Sequence, residues 1–480
     1  MPLLSHYNAA VNPPQRRLLL IVACILCATI VACSQPTRPD LARLYRVGTE
    51  TPDTTPLIVI PGVFGSKLRD RNTGLEIWPG SAGKLLFGEY RELALEFDPV
   101  TLQVKPDAFE AFDITDAALG HDFYGQLLGT LQRYGNYTRS KPGQPMRKGE
   151  RRYYVYSYDW RQDNVESARG LEHLIEAIRR DYGDPALKVD IIAHSMGGLV
   201  ARYYLRYGPV DVLDGSEQLV TLYGTSRVRK LILLGTPNMG SASSLHAFLV
   251  GEPIVFRRIP QEVLATLPSG YELFPHPLVT WLIDTSGNPL DDDLFDGNTW
   301  RRYRWSIFDP GVGARIRAAR VGDADAYVAA LQHYFDYRLE RARRFLWAMS
   351  TPEPATPIRY VLFGGDCALT PARLVLERQG DAPKARLRPD AISSPVPGVS
   401  YSDLMLDPGD GSVTKPSLLA RESLDPTVVQ SVDSFIPIAY WFFLCEHHDQ
   451  LTGNISFQDN LLNVLLTRTL PWEMESPAGK

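Results

Sequence analysis

Residues 189–198 read Val-Asp-Ile-Ile-Ala-His-Ser-Met-Gly-Gly, an apolar run that breaks at Ser195. The chain then passes at once into Gly198-Leu-Val-Ala-Arg-Tyr-Tyr-Leu205, where apolar residues recur at helical spacing. A strand that turns into a helix this sharply has room only for small residues two places before and after the turning residue, and Ala193 and Gly197 stand there. Such a nucleophile elbow lifts a serine hydroxyl out of a sheet. It also leaves the backbone N–H of Met196 at a helix N-terminus, free to face an anion. The competing reading is an ordinary strand-to-helix turn with an exposed serine.

The rest of the chain supplies the setting the elbow needs. Short apolar runs at 56–60, 153–158, 228–235 and 358–364 alternate with helical patterns at 123–134 and 164–182. Strands and helices of these lengths predict the α/β class, an α/β-hydrolase fold with a mainly parallel sheet wrapped by helices. Right-handed crossovers then bring the C-terminal ends of the strands to one edge. Residues 56–240 are expected to form the first part of this core, 241–355 a cap containing a long amphipathic helix near 325–349, and 356–480 the second part. Residues 378–397 read as a hairpin-like excursion. Within the first part, 70–118 breaks the rhythm as a membrane-binding or lid insertion. There Trp78, Leu85, Leu86 and Phe87 either offer apolar surface to lipid or pack beneath a loop.

A serine on an elbow needs a base and an acid, and in this fold they follow it in the order Ser, Asp or Glu, His. Of the nine histidines, only His447 and His448 lie beyond a strand and turn that supply the acid. We favour His448, with His447 as the alternate. Asp410, in Gly-Asp-Gly-Ser-Val, is the favoured acid; Asp407 and Asp366 are the fallbacks. The carboxylate would hold the imidazole N–H and stabilise the imidazolium formed when Ser195 loses its proton. A second oxyanion donor belongs in the loop after the first strand, where Pro61-Gly62-Val63-Phe64-Gly65 offers the N–H of Val63 or Phe64. The bland reading there is a tight turn.

The N-terminus reads separately. Arg16-Arg17 precede an apolar run that ends Ile30-Val-Ala-Cys33, the form of a lipoprotein signal peptide over 1–32 with lipidation at Cys33. Residues 33–55 read as a tether. A plain signal anchor is the alternative. These features imply a bacterial cell envelope location, lipid-anchored at the outer membrane. With 480 residues, 44% of them hydrophobic, the chain can bury a large core. Its net charge of −5 becomes −7 without Arg16 and Arg17, so overall charge gives no case for nucleic acid or an anionic bilayer as partner. Cys367 and Cys445 are available to pair across the Asp and His loops in an oxidising compartment; two separate thiols are the alternative.

Pro61-Gly62 with Gly65, Tyr158-Asp-Trp-Arg161, His194-Ser-Met-Gly197, Leu234-Gly-Thr-Pro-Asn-Met-Gly-Ser241, Thr370-Pro371 and Gly409-Asp-Gly-Ser-Val413 occur in that order. Over residues 56–466 the chain resembles the lecithin:cholesterol acyltransferase family, which includes the lysosomal phospholipase A2 type and the phospholipid:diacylglycerol acyltransferases. The resemblance implies acyl transfer from a glycerophospholipid through an acyl-serine to an alcohol or water. Ser195, Asp410 and His448 would form the triad, and Val63 and Met196 would be the oxyanion donors. No metal or other cofactor is implied, and the partners are a phospholipid membrane and an acceptor alcohol. Tyr158 to Arg161 is read as structural. With no cysteine between Cys33 and Cys367, the disulfide-closed lid loop of the plasma enzyme has no counterpart. Two other functions compete: a carboxylesterase or neutral-lipid lipase, and a non-catalytic lipid-binding envelope lipoprotein.

Overall fold

The computed structural model describes residues 38–45 and 53–466, apart from 119–120, 216–218, 321, 353, 355, 357, 359, 379–382 and 422–435. The expected signal peptide, Cys33 and much of the tether lie outside the described residues.

Seven strands form the central sheet: β1 (Leu57–Ile60), β2 (Tyr137–Ser140), β3 (Arg151–Val155), β4 (Val189–His194), β5 (Val228–Leu234), β6 (Tyr360–Gly365) and β7 (Ile438–Leu444). Their order is β7-β6-β5-β4-β1-β3-β2, and every pairing is parallel. Strands β1 and β4 are buried along their whole length, as a parallel sheet covered on both faces requires. Alternate residues divide between two cores. Ile58, Ile60, Ile191, Ala193, Leu231 and Leu233 face one core, while Leu57, Val59, Ile192, Ile232 and Leu234 face the other.

Helices fill both sides: α1 (Gly125–Arg133), α2 (Asn164–Tyr182), α3 (Met196–Tyr207), α4 (Ala242–Val250), α5 (Ala324–Ser350) and α6 (Ile455–Leu466). The second face is covered by α1 and α6 through Leu127, Leu131, Phe457 and Leu461. On the first face lie α2 and α3, and the chain between β5 and β6 extends the same core through Phe248 of α4 and Phe335, Leu339 and Phe345 of α5. Helix α2 has clear ends: the Asp163 carboxylate accepts the Val165 N–H, and Gly183 stops the helix at φ 63°.

Strand register levels the edge on which the site stands. Ile60 lies beside Ala193, His194 beside Leu234, Leu234 beside Phe363, and Phe363 beside Phe442. The 70–118 region lies against this edge. Strands Ser66–Asp70, Glu76–Trp78 and Phe109–Ile114 make a small antiparallel sheet there. In the 378–397 region, Lys384–Arg386 pairs antiparallel with Leu374–Glu377, which pairs in turn with Leu282–Asp284.

Candidate active site

Ser195 sits between the end of β4 and the start of α3 with φ 53° and ψ −127°. Positive φ is costly for a residue with a side chain, of order 1–3 kcal/mol. The surroundings hold it: the Ser195 N–H donates to the Leu234 carbonyl at 2.8 Å. The crowding that demands small residues comes from the next strand. A Cβ on Gly197 would run into the Pro61 carbonyl and Ile60, and one on Gly62 would lie 2.7 Å from the Ser195 Cβ. The nearest obstacles to a side chain at 197 are therefore at the end of β1.

Two loops from the same edge complete the arrangement. His448 Nε2 is 2.9 Å from Ser195 Oγ, and His448 Nδ1 is 2.7 Å from Asp410 Oδ2. The other carboxylate oxygen, Oδ1, accepts the N–H groups of Ser412 (3.0 Å) and Val413 (2.7 Å), which fixes the carboxylate plane. Burial works against charge on Asp410, but His448 and these N–H donors outweigh it and hold its pKa below the ordinary value. Burial likewise opposes protonation of His448, yet the Asp410 carboxylate raises its pKa above that of free imidazole. Cys367, just after β6, and Cys445, just after β7, form a disulfide with Cα atoms 4.9 Å apart, tying together the two strand ends from which this corner is built.

The alternates lie elsewhere. His447 is exposed, Asp407 faces Arg373 at 3.8 Å, and Asp366 pairs with Lys415 at 2.8 Å. Val63 and Phe64 line the same cavity as Ser195. Among the described residues, the N–H groups of Val63, Phe64 and Met196 have no protein acceptor.

Of the two readings left open for Trp78, the structure shows the packed one. It is buried, with its ring 5.0 Å from Phe64, 5.0 Å from Tyr90 and 5.6 Å from Trp160, and its indole N–H donates to the Phe64 carbonyl at 2.7 Å. It braces the loop beside Ser195 and is not available to lipid. Leu85 and Leu86 are half-buried; Phe87 alone of the four is exposed, stacked on exposed Phe256. Trp160 is fully buried, and its indole N–H donates to the Ser66 carbonyl at 3.1 Å; Asp159 pairs with Arg161, which bears out a structural role for this segment.

Sequence reasoning missed a relay behind the nucleophile. The Gly62 N–H donates to the Tyr124 hydroxyl (3.0 Å), which donates to His194 Nδ1 (2.7 Å), and His194 Nε2–H donates to the His448 carbonyl (3.2 Å). Burial, aided by the charge on His448, pushes the His194 pKa down to about 3, so its ring stays neutral and can accept from Tyr124. The relay joins the 61–65 loop to the His448 loop. We expect Tyr124→Phe to lower kcat about tenfold or more, the effect of one buried hydrogen bond, with KM and Tm little changed. Steady-state kinetics with a soluble ester would check it, and an unchanged kcat would show that the loop is held without the relay.

Ser195 opens on a cavity of about 200 Å³ whose wall is mainly apolar, with Trp160, Phe248, Leu264, Leu267 and Leu273. It suits a hydrocarbon chain. Among the described residues, no cluster of His, Cys, Asp or Glu is arranged to hold a metal ion, and no helix is long and apolar enough to cross a membrane.

A parallel sheet with helices on both faces and a serine elbow at its C-terminal edge is the α/β-hydrolase fold. Residues 148–285 match the family model described as lecithin:cholesterol acyltransferase, so this part of the chain is similar to that family. The match supports lipid acyl-hydrolase or acyltransferase activity in general. The match includes the elbow but ends before Asp410 and His448, which rest on geometry. Among solved structures, the chain is similar to the Tle4-Tli4 complex at 16% identity, covering 86% of this chain and 98% of that one, with a TM-score of 0.52. It is also similar to Bacillus licheniformis lipase BlEst2 in mature form (12% identity, 88% and 96% covered, TM-score 0.33) and to Staphylococcus hyicus lipase (15%, 87% and 95%, 0.33). No curated protein matches the chain in sequence.

Proposed function

We propose that the protein is a phospholipase A or O-acyltransferase that moves a fatty acyl group from a glycerophospholipid through an acyl-serine at Ser195. The observation that carries this reading is the continuous Ser195–His448–Asp410 hydrogen-bond chain facing an apolar cavity. Ser195 Oγ attacks the ester carbonyl while His448 Nε2 takes its proton. The N–H groups of Val63 and Met196, with Phe64 as the alternate to Val63, receive the oxyanion. The tetrahedral intermediate collapses by breaking the bond between the acyl carbon and the glycerol oxygen, which leaves with the proton from His448, and the acyl group remains on Ser195. Water or an alcohol then gives His448 its proton and attacks the acyl-serine, restoring the free enzyme. Asp410 keeps the imidazole in the tautomer that both proton transfers need.

The reading includes a lipid anchor at Cys33 that holds the enzyme at the envelope membrane. The exposed Phe87 and Phe256 rings agree with contact at a lipid surface, since Phe256 lies at the tip of the hairpin whose Glu252 lines the cavity beside Ser195. The test is to incubate the full chain with phosphatidylcholine vesicles, with and without a long-chain alcohol or sterol, and to resolve the products by mass. Acyl ester formed at the expense of free fatty acid identifies a transferase and its acceptor; free fatty acid alone identifies a phospholipase. No product from any phospholipid, with turnover of short esters, would replace this reading by a carboxylesterase.

A further inference from the structure

The catalytic cavity has a neighbour. Ser243, Ala247 and Glu252 line it and also line a groove of about 800 Å³, so the two spaces share a wall. The charge of that groove departs from the chain's net −5. Arg258, Arg304, Lys384 and Arg388 all lie on it. They come from separate places: the hairpin of Glu252–Ile254 with Arg257–Ile259, the end of helix Gly297–Tyr303, strand Lys384–Arg386 and the turn after it.

Arginines nearby find carboxylates. Arg301 pairs with Asp336, Arg302 with Asp292, Arg315 with Glu262, and Arg386, on the same groove, with Glu377. Among the described residues, the four groove cations form no ion pair. Both Arg258 and Arg388 act on one ring: burial first, then the charges of these two arginines, push His246 on the groove wall down to about 4. Among the described residues the groove carries fewer carboxylates than cations: Asp309, which also accepts the Gly311 and Val312 N–H groups, Asp390, and Glu252, which burial pushes up to about 7 although Arg258 opposes it. Cations left unpaired in a concave site attract an anion, and guanidinium groups match phosphate oxygens in pairs. In a glycerophospholipid whose acyl ester sits at Ser195, the phosphate lies a few bonds from that ester.

Resting on the reading of Ser195 as the acyl carrier, we propose that this groove receives the phosphate of the substrate head group. It would thereby select lipids whose head groups are net negative over zwitterionic ones, whose added cation the groove repels. The local field, not the net charge of the chain, would set this preference.

The test uses the full chain and short-chain phospholipids below their micelle concentration, so that adsorption to a surface does not enter. We expect kcat/KM for phosphatidylglycerol to exceed that for phosphatidylcholine about tenfold or more, the effect of one or more charge-assisted hydrogen bonds. All three arginines to be changed are exposed. In the R258Q/R304Q/R388Q variant the ratio should fall to about one, while p-nitrophenyl butyrate is hydrolysed within about twofold of the native rate, as expected for exposed sites away from the reacting atoms. Equal rates on both head groups in the native protein, or a preference that survives in the variant, would overturn the proposal. So would inhibition by inorganic phosphate without head-group preference, which would make the groove a site for free phosphate. If neither phospholipid is cleaved while the butyrate ester is, and Ser195→Ala abolishes that activity, the phospholipid reading itself fails and this inference with it.

Discussion

Ser195→Ala should lower turnover on the order of 10⁶-fold, the loss seen when a nucleophile that acts as a unit with its base is removed. The substitution deletes one atom, Oγ, and with it the hydrogen bond to His448 Nε2. Ala can take the same positive φ at the same cost, and the backbone bond from residue 195 to the Leu234 carbonyl does not involve the side chain. Tm and binding to phospholipid vesicles should therefore stay at native values. Initial rates with a phospholipid, together with labelling by a fluorophosphonate, separate the possibilities. A variant that keeps even a tenth of native turnover would remove Ser195 from the mechanism. A native protein that resists the fluorophosphonate would favour a non-catalytic lipid-binding role.

Asp410→Asn is the second large effect, about 10⁴-fold in kcat by the precedent of an asparagine in a serine protease triad. The argument depends on which oxygen does what. Oδ1 accepts two backbone N–H groups, so the amide oxygen of asparagine must stay there, and its NH₂ must face His448 Nδ1. A donor facing Nδ1 forces the ring proton onto Nε2, the atom that must accept the proton from Ser195. The pH profile gives an independent readout. The reaction needs neutral His448, so the rate falls as pH drops through its pKa. Asp410 holds that pKa above the free imidazole value of about 6.5, and the acidic limb of native kcat/KM should lie above that pH. In the variant the carboxylate is gone and burial, which disfavours the charged ring, dominates; the limb should move to lower pH. An unmoved limb would mean that another group titrates.

Much of the site could be read from residue order because its constraints are local. The elbow is a strand, one strained residue and a helix, all within residues 189–207, and the triad was sought in the order that the α/β-hydrolase fold uses. Position narrowed the base to His447 or His448 and favoured Asp410 over Asp407 and Asp366 as the acid; the structure places His448 against Ser195 and Asp410 against His448. Tyr124 gave no signal: its two partners, Gly62 and His194, lie 62 and 70 residues away along the chain. Whether Trp78 faced lipid or packed beneath a loop was open in the sequence, and Phe64, Tyr90 and Trp160 enclose it. An aromatic residue on a loop carries no mark of which way it faces.

Short-range sterics and periodicity in the residues were enough to specify a parallel α/β sheet and a serine on a forced turn, because hydrophobic spacing and backbone crowding act over a few residues. Folding alone settled what depends on distant segments meeting: the Cys367–Cys445 bond, the relay through Tyr124 and His194, the cavity wall, and four unpaired cations gathered beside it. A composition that is net acidic cannot reveal a basic groove, since electrostatic potential depends on where charges sit and which of them find partners.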